Sequence, residues 1–322
     1  MSSRQRMVNP RIIKTLLPIA VLVAVVLLVA MGWLAYTAAH PPQRAYLITP
    51  EQFAQFSDRG LKATEEQWTN RDGTSARGWL LRGATDAPAV VLLHRFGKDR
   101  SWLLNLAVKL NESTNYTVLC PDSRGHGPNP PIELSTFGTA EAEDLGAAVG
   151  FLRSLKSAQG GALSAKQIGL YGVEIGAYAS LIAATNDPDV RALVLDSVPA
   201  SADQVLENAV NVNTGFSNVL VHLLARGGIR AYLLGGYSNA SSCEMAAKLN
   251  VRAVLLMSGA EAGGLRDSTT QLVQCFPNPA NVEAINDLPL TGLNAGSATG
   301  TQAEGYDRRI IDFFDRTLRA SQ

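Results

Sequence analysis

One pentapeptide and four histidines bound the chemistry open to this chain. The pentapeptide is Gly172-Val173-Glu174-Ile175-Gly176, set between a β-rich apolar run and an Ala-rich one. A Gly-x-X-x-Gly sequence between a strand and a helix makes a sharp turn. The glycines stand where side chains would clash, and the central side chain is held on strained backbone above the sheet edge. Ile175, next in the chain, aims its backbone N–H at the same spot. A carboxylate in the central place can attack carbon, pair with a cation or hold a ligand. Attack also needs a base to activate water or carry the proton, and histidine does this most often. The histidines are His40, His94, His126 and His222, and none follows His222.

Two more turns carry polar groups. His94-Arg95-Phe96-Gly97 follows the apolar run ending at Leu93, and Pro121-Asp122-Ser123-Arg124-Gly125-His126-Gly127 follows the run ending at Cys120. Arg95 is placed to neutralise Glu174, so the two are expected to pair in one mouth. Asp122 and Arg124 are expected to pair or cap locally. His126 is expected near the surface, and His222, in an apolar helical run, is read as a packing residue. The cysteines are Cys120, Cys243 and Cys275. No two have CxxC spacing, so neither a zinc nor a dithiol site is expected, and no metal or cofactor is assigned.

These turns need a scaffold. Runs from Leu61 to Thr69 and from Thr74 to Arg82 flank Asn70-Arg71-Asp72-Gly73, and Asp-Gly between strand-like runs signals a hairpin. Strands are expected at Ala89–Leu93, Tyr116–Cys120, Gln167–Tyr171, Arg191–Asp196 and Asn250–Met257, with a weak last strand at Leu288–Leu293. Helices are expected at Ser101–Asn111, Glu141–Leu152 and Ile175–Ala184. A closing helix carries Ile310, Ile311, Phe313, Phe314 and Leu318 on its apolar face. Alternating strands and helices imply a mostly parallel sheet covered on both faces. Function in such sheets sits at the carboxyl ends of the strands. A mostly helical insertion at about 200–250 reads as a lid, with Gly227-Gly228 and Gly235-Gly236 as bends.

With the elbow at the third parallel strand-to-helix turn, the chain resembles the α/β-hydrolase superfamily, closest in style to its serine esterase and prolyl-oligopeptidase-like branches. The resemblance runs from about Leu61 to the C-terminus and implies an α/β-hydrolase fold. It implies a structural turn at Asp122, Arg124, Gly125, His126 and Gly127. It also implies elbow glycines at Gly172 and Gly176, and a mouth formed by Arg95, Phe96 and Ile175, where the family keeps its oxyanion donors. Arg95 stands where the family usually has glycine. Glu174 stands where the family has its nucleophile, usually serine. The usual acid position falls at about Ala262, beside Glu261, and Asp196 matches the acid of some branches. The turn that usually supplies histidine reads Leu293-Asn294-Ala295-Gly296-Ser297. Carboxylate nucleophiles at this elbow are aspartates in dehalogenase-like relatives. Glutamate is longer by one methylene, and a misplacement near 1 Å can cost about a hundredfold.

The N-terminus is of another kind. From Thr15 to Ala39 no side chain is charged. As a helix this run spans roughly 37 Å, against roughly 30 Å for a hydrocarbon core. Arg4, Arg6, Arg11 and Lys14 precede it, and Trp33 and Tyr36 suit an interfacial belt. The reading is a cytoplasmic basic segment (1–14), an uncleaved transmembrane signal-anchor (15–39), a short stiff linker (40–60) and a translocated hydrolase-like domain (61–322), periplasmic or extracellular. Cys243 and Cys275 flank the strand ending at Met257, and a disulfide between them is geometrically open in an exported domain. Lys and Arg together number 28, as do Asp and Glu, for a net charge of zero. With no basic stripe, no nucleic-acid partner is expected. The expected partners are the membrane and an unidentified small molecule, peptide or protein. Function divides between a pseudoenzyme that binds or scaffolds outside the cytoplasm and an active ester or amide hydrolase with a non-standard site around Glu174.

Overall fold

The computed structural model describes residues 10–55, 63–156, 164–250, 252–294 and 300–319. Arg4, Arg6, Leu61 and the Ala295–Ser297 part of the histidine-position turn lie outside them.

Chain order is α1 (Pro10–Ala39), α2 (Pro50–Ala54), β1 (Ala63–Thr69), β2 (Ser75–Leu81), β3 (Ala87–Leu93), α3 (Leu104–Thr114), β4 (Thr117–Pro121) and α4 (Thr139–Ser154). There follow β5 (Ser164–Val173), α5 (Ile175–Asn186), β6 (Val190–Asp196), α6 (Ala202–Thr214), α7 (Val219–Tyr232) and α8 (Ser242–Ala246). The chain closes with β7 (Ala253–Gly259), α9 (Gly264–Leu272), β8 (Val282–Leu288) and α10 (Thr301–Arg319). The strands form one sheet in the order β1-β2-β4-β3-β5-β6-β7-β8. β2 pairs antiparallel with β1 and with β4, and every other pairing is parallel.

The first hairpin closes as its residues dictate. Gly73 takes φ 83°, and the Asp72 side chain accepts the Thr74 N–H at 3.0 Å. The central strands are apolar on both faces because helices cover both. Val90, Leu92, Val118, Val194 and Leu255 point toward α3 and α10, while Val91, Leu119, Leu170, Leu193 and Leu256 point toward α4 and α5. Cys243 and Cys275 are joined, with Cα atoms 5.1 Å apart, and Cys120 is a buried free thiol.

Three expectations need correction. The last strand is Val282–Leu288, not Leu288–Leu293; its backbone pairs with β7 although only Leu288 among its residues is buried, so hydrophobicity did not mark it. Gly227-Gly228 is no bend. It lies inside α7, where a Cβ on Gly228 would collide with the Met31 carbonyl oxygen of α1, so absent side chains let two helices touch. The stiff linker expected at 40–60 is, over residues 40–55, docked on the domain. Tyr46 donates its hydroxyl to Asp122 at 2.7 Å, Leu47 donates its N–H to Ser101 at 2.9 Å, and Thr49 with Gln52 forms a reciprocal cap on α2.

α1 contains a run, Lys14–Ala39, long and apolar enough to cross a membrane. Its C-terminal end is part of the folded domain. Leu34, Ala35, Ala38 and Ala39 are buried with Phe96, Phe137, Ile175 and Tyr178, and with Val205, Leu206, Ala225 and Ile229 of the lid helices α6 and α7.

Candidate functional site

The site is built on the turn from β5 to α5. Glu174 sits at φ 51°, ψ −112°, a conformation that costs a non-glycine residue of order 1–3 kcal/mol. Two bonds hold it there: its N–H reaches the Asp196 carbonyl at 3.0 Å, and its carbonyl accepts the Tyr178 N–H at 2.9 Å. Gly172 and Gly176 allow the turn. A Cβ on Gly172 would run into the Gly176 backbone, and one on Gly176 would lie 2.7 Å from the Leu93 carbonyl oxygen.

The Glu174 side chain is only 4% exposed. One carboxylate oxygen accepts the Phe96 backbone N–H at 3.2 Å, and the other accepts Asn208 Nδ2 of α6 at 3.3 Å. The Phe96 N–H, in the turn after β3, is thereby taken by this carboxylate. Burial pushes the Glu174 carboxyl above its ordinary range, and the nearby Arg95 charge with the two hydrogen bonds offsets this only in part. Arg95 forms no ion pair with Glu174 within 4.0 Å among the described residues, and its Nε is buried without a hydrogen-bond partner. The expected pairing is therefore electrostatic proximity, not contact. Beside the turn, a cavity of about 340 Å³ is lined by Arg95, Lys98, Trp102, Tyr171, Gly292 and Tyr306.

The histidines are engaged elsewhere. His94 Nε2 accepts the Ser123 N–H at 3.1 Å, which leaves Nδ1 to donate to the Arg95 carbonyl at 2.9 Å. His126 is buried, not superficial as expected. It stands ring against ring with His94 and Phe96, and burial with the His94 neighbour pulls its pKa down to about 3. His222 is half-buried on α7, 3.0 Å from Asn211 Oδ1, and His40 stacks on Tyr36.

At the acid positions Ala262 is buried, while Glu261 is exposed and accepts the Thr291 hydroxyl at 2.8 Å. Asp196 is fully buried. It accepts from Gly292 N–H at 2.6 Å, Tyr306 hydroxyl at 2.5 Å and Ser197 hydroxyl at 2.7 Å. Tyr306 and Tyr171 hydroxyls lie 2.9 Å apart. Burial lifts the Asp196 carboxyl to about 6 despite these donors. Tyr306 thus caps the buried Asp196 carboxylate. Asn208, Tyr171 and Tyr306 were missed from the sequence because they belong to no local motif.

The Asp122 turn is a structural clasp, though Asp122 and Arg124 do not pair with each other. Asp122 faces Arg77 Nε at 3.3 Å and Arg100 Nε at 3.5 Å, and accepts the Arg100 N–H at 3.1 Å. Arg124 bridges Asp72 and Asp144 at 2.9 and 2.5 Å. Gly125 and Gly127 take φ 79° and 78°, and a Cβ on Gly127 would press into Asp122. Neither Ile175 nor the elbow glycines add a charged group to the mouth.

The sheet order, the elbow after β5 and the helical insertion after β6 define the α/β-hydrolase fold, and solved structures agree. An esterase of Pyrococcus furiosus, Pf2001, superposes with TM-score 0.63 at 18% identity, covering 87% of this chain and 98% of that one. The α/β hydrolase GrgF from a Penicillium species gives 0.59 at 17% identity over 80% of this chain and all of its own. The acylaminoacyl peptidase of Pyrococcus horikoshii gives 0.55 at 14% identity, covering 80% of this chain and 42% of that one. In sequence the chain is similar to thiohydrolase aneE of Aspergillus aculeatus, 27% identical over 132 residues, which is 41% of this chain and 40% of that relative. No protein-family model matches.

Proposed function

We propose that this chain is a membrane-anchored α/β-hydrolase-fold protein without serine-hydrolase chemistry, acting as a binding or scaffold protein outside the cytoplasm. One observation carries the reading: the Glu174 carboxylate stands in the nucleophile's place with its oxygen on the Phe96 N–H. A substrate carbonyl would have to displace that carboxylate to reach the donor, and would then meet like charge developing on its own oxygen. The histidine rings support the same reading, since those of His94 and His126 are held by backbone groups and none follows His222.

The Lys14–Ala39 run and the basic residues before it support a single span with the N-terminus in the cytoplasm. The Cys243–Cys275 bridge supports an oxidising compartment for the domain. The cavity beside Arg95 and Lys98 is the place for a bound small molecule or peptide end.

The test uses the full chain in phosphatidylcholine nanodiscs, offered short acyl esters, acyl thioesters and a serine-reactive phosphonate probe. No turnover and no labelling are expected, and Glu174→Ser restores little because no histidine serves it. Turnover that Glu174→Gln abolishes would establish the alternative, an ester or amide hydrolase with Glu174 at its centre.

A further inference from the structure

The lid carries a second apolar surface that the fold leaves uncovered. Where α6 turns into α7, Val212, Phe216, Val219, Leu220 and Leu223 are all exposed, Val219 by 76%. From Asn208 to Ala225 there is no Asp, Glu, Lys or Arg. Charge returns at once on either side: Arg226 is bound to Glu207, and Asp203 lies 3.4 Å from Arg226 Nε. The hairpin is thus uncharged at its tip and ionic at its base.

The same hairpin is fixed to α1. Asn213 Nδ2 donates to the Thr37 carbonyl at 2.9 Å, close to the turn. Further along, Gly227 and Gly228 pack on Met31 and Ala35 with no side chain between. Tyr232 brings its ring within 6.3 Å of His40, which itself stacks on Tyr36. Trp33, Tyr36 and Tyr232 are exposed, so a group of half-polar aromatics gathers at the level where α1 leaves the apolar run. Amphipathic rings concentrate at the lipid–water boundary, and uncharged apolar helix ends lying in that plane bind it by the area they bury.

We infer that the α6–α7 hairpin is a monotopic membrane contact, seated in the interface of the same bilayer that α1 spans. Val212, Phe216, Val219, Leu220 and Leu223 enter the headgroup–acyl boundary. The occupant is lipid because the patch continues the uncovered surface of α1 and offers no charge to a protein partner. The inference rests on the anchored reading of α1. It adds that the lid, through Asn208 on Glu174, is held at the bilayer surface with the mouth beneath it.

The experiment uses the full chain in phosphatidylcholine vesicles. A single cysteine bearing an environment-sensitive fluorophore is placed at Leu220, Leu223, Val25 or Arg316. The native cysteines do not interfere, being buried or bridged. Quenching by headgroup-proximal doxyl lipid is compared with quenching by aqueous iodide. Labels at Leu220 and Leu223 are expected to be quenched by the lipid several-fold more than the Arg316 label, and to be shielded from iodide. Iodide quenching equal to that at Arg316 overturns the proposal, because the patch then faces water. Shielding from both quenchers also overturns it, because a second copy or another protein then covers the patch. The Val25 label reports on the anchor alone: iodide access there refutes the span itself, separately from the lid contact.

Discussion

Two buried carboxylates stand at the same edge of the sheet, and they are treated oppositely. Asp122, after β4, is met by Arg77, Arg100 and the Tyr46 hydroxyl, and Arg100 is itself wholly buried against the Trp79 and Tyr46 rings. Glu174, after β5, has one backbone N–H, one amide and a guanidinium that stays out of contact. A carboxylate kept for the fold is given cations. Glu174, at the turn between β5 and α5, has neutral donors, a strained backbone and a raised pKa instead. The difference teaches that the fold compensates Asp122 with full charges and Glu174 only with dipoles.

That contrast can be broken by mutation. Asp122→Ala should cost most, about 3–5 kcal/mol, because two guanidinium groups lose a buried partner; urea denaturation of the full chain in detergent measures it. A cost under about 1 kcal/mol would make Asp122 as dispensable as a surface ion pair. Tyr306→Phe should cost less, about 1–3 kcal/mol, by stripping a donor from buried Asp196. Glu174→Gln should go the other way. It keeps an acceptor for Phe96, removes a charge that burial disfavours, and should stabilise by about 1 kcal/mol at pH 7. A loss of stability instead would show that the Arg95 charge matters more than burial.

The pH dependence sharpens the same point. A carboxyl whose folded pKa is raised contributes stability that is complete below its unfolded value and is lost as pH rises through the folded one. For Asp196 that window runs from 3.8 to about 6. Asp196→Asn should therefore flatten the fall of stability with pH across it. The Glu174→Gln advantage should likewise grow as pH rises from 4.5, the ordinary value of that group, and vanish below it.

Much of the fold was legible because it depends on local pattern. The Asp-Gly hairpin, the apolar strand runs and the elbow glycines each carry their signal within a few residues. The last strand failed because β8 is an edge strand with only Leu288 buried, so its sequence lacks the apolar run sought. Gly227-Gly228 failed because a glycine pair reads as a bend until a neighbouring helix is known to need the space. At the site, Glu174 and Phe96 were legible as neighbours through their turns. Asn208 and Tyr306 were not, since each meets its partner only through tertiary packing across 34 and 110 residues of chain.

The bond between Glu174 and Phe96 has a kinetic and thermodynamic side. A carboxylate held by the β5–α5 turn, 78 residues along the chain from its donor, behaves as an intramolecular competitor at a fixed effective concentration. Any ligand that uses the Phe96 N–H must expel this tethered one, and its apparent affinity falls by the fraction of time the donor is already taken. Protonating Glu174 would weaken the tether more than it weakens an incoming neutral carbonyl. The Phe96 N–H is therefore a donor site that acid should free.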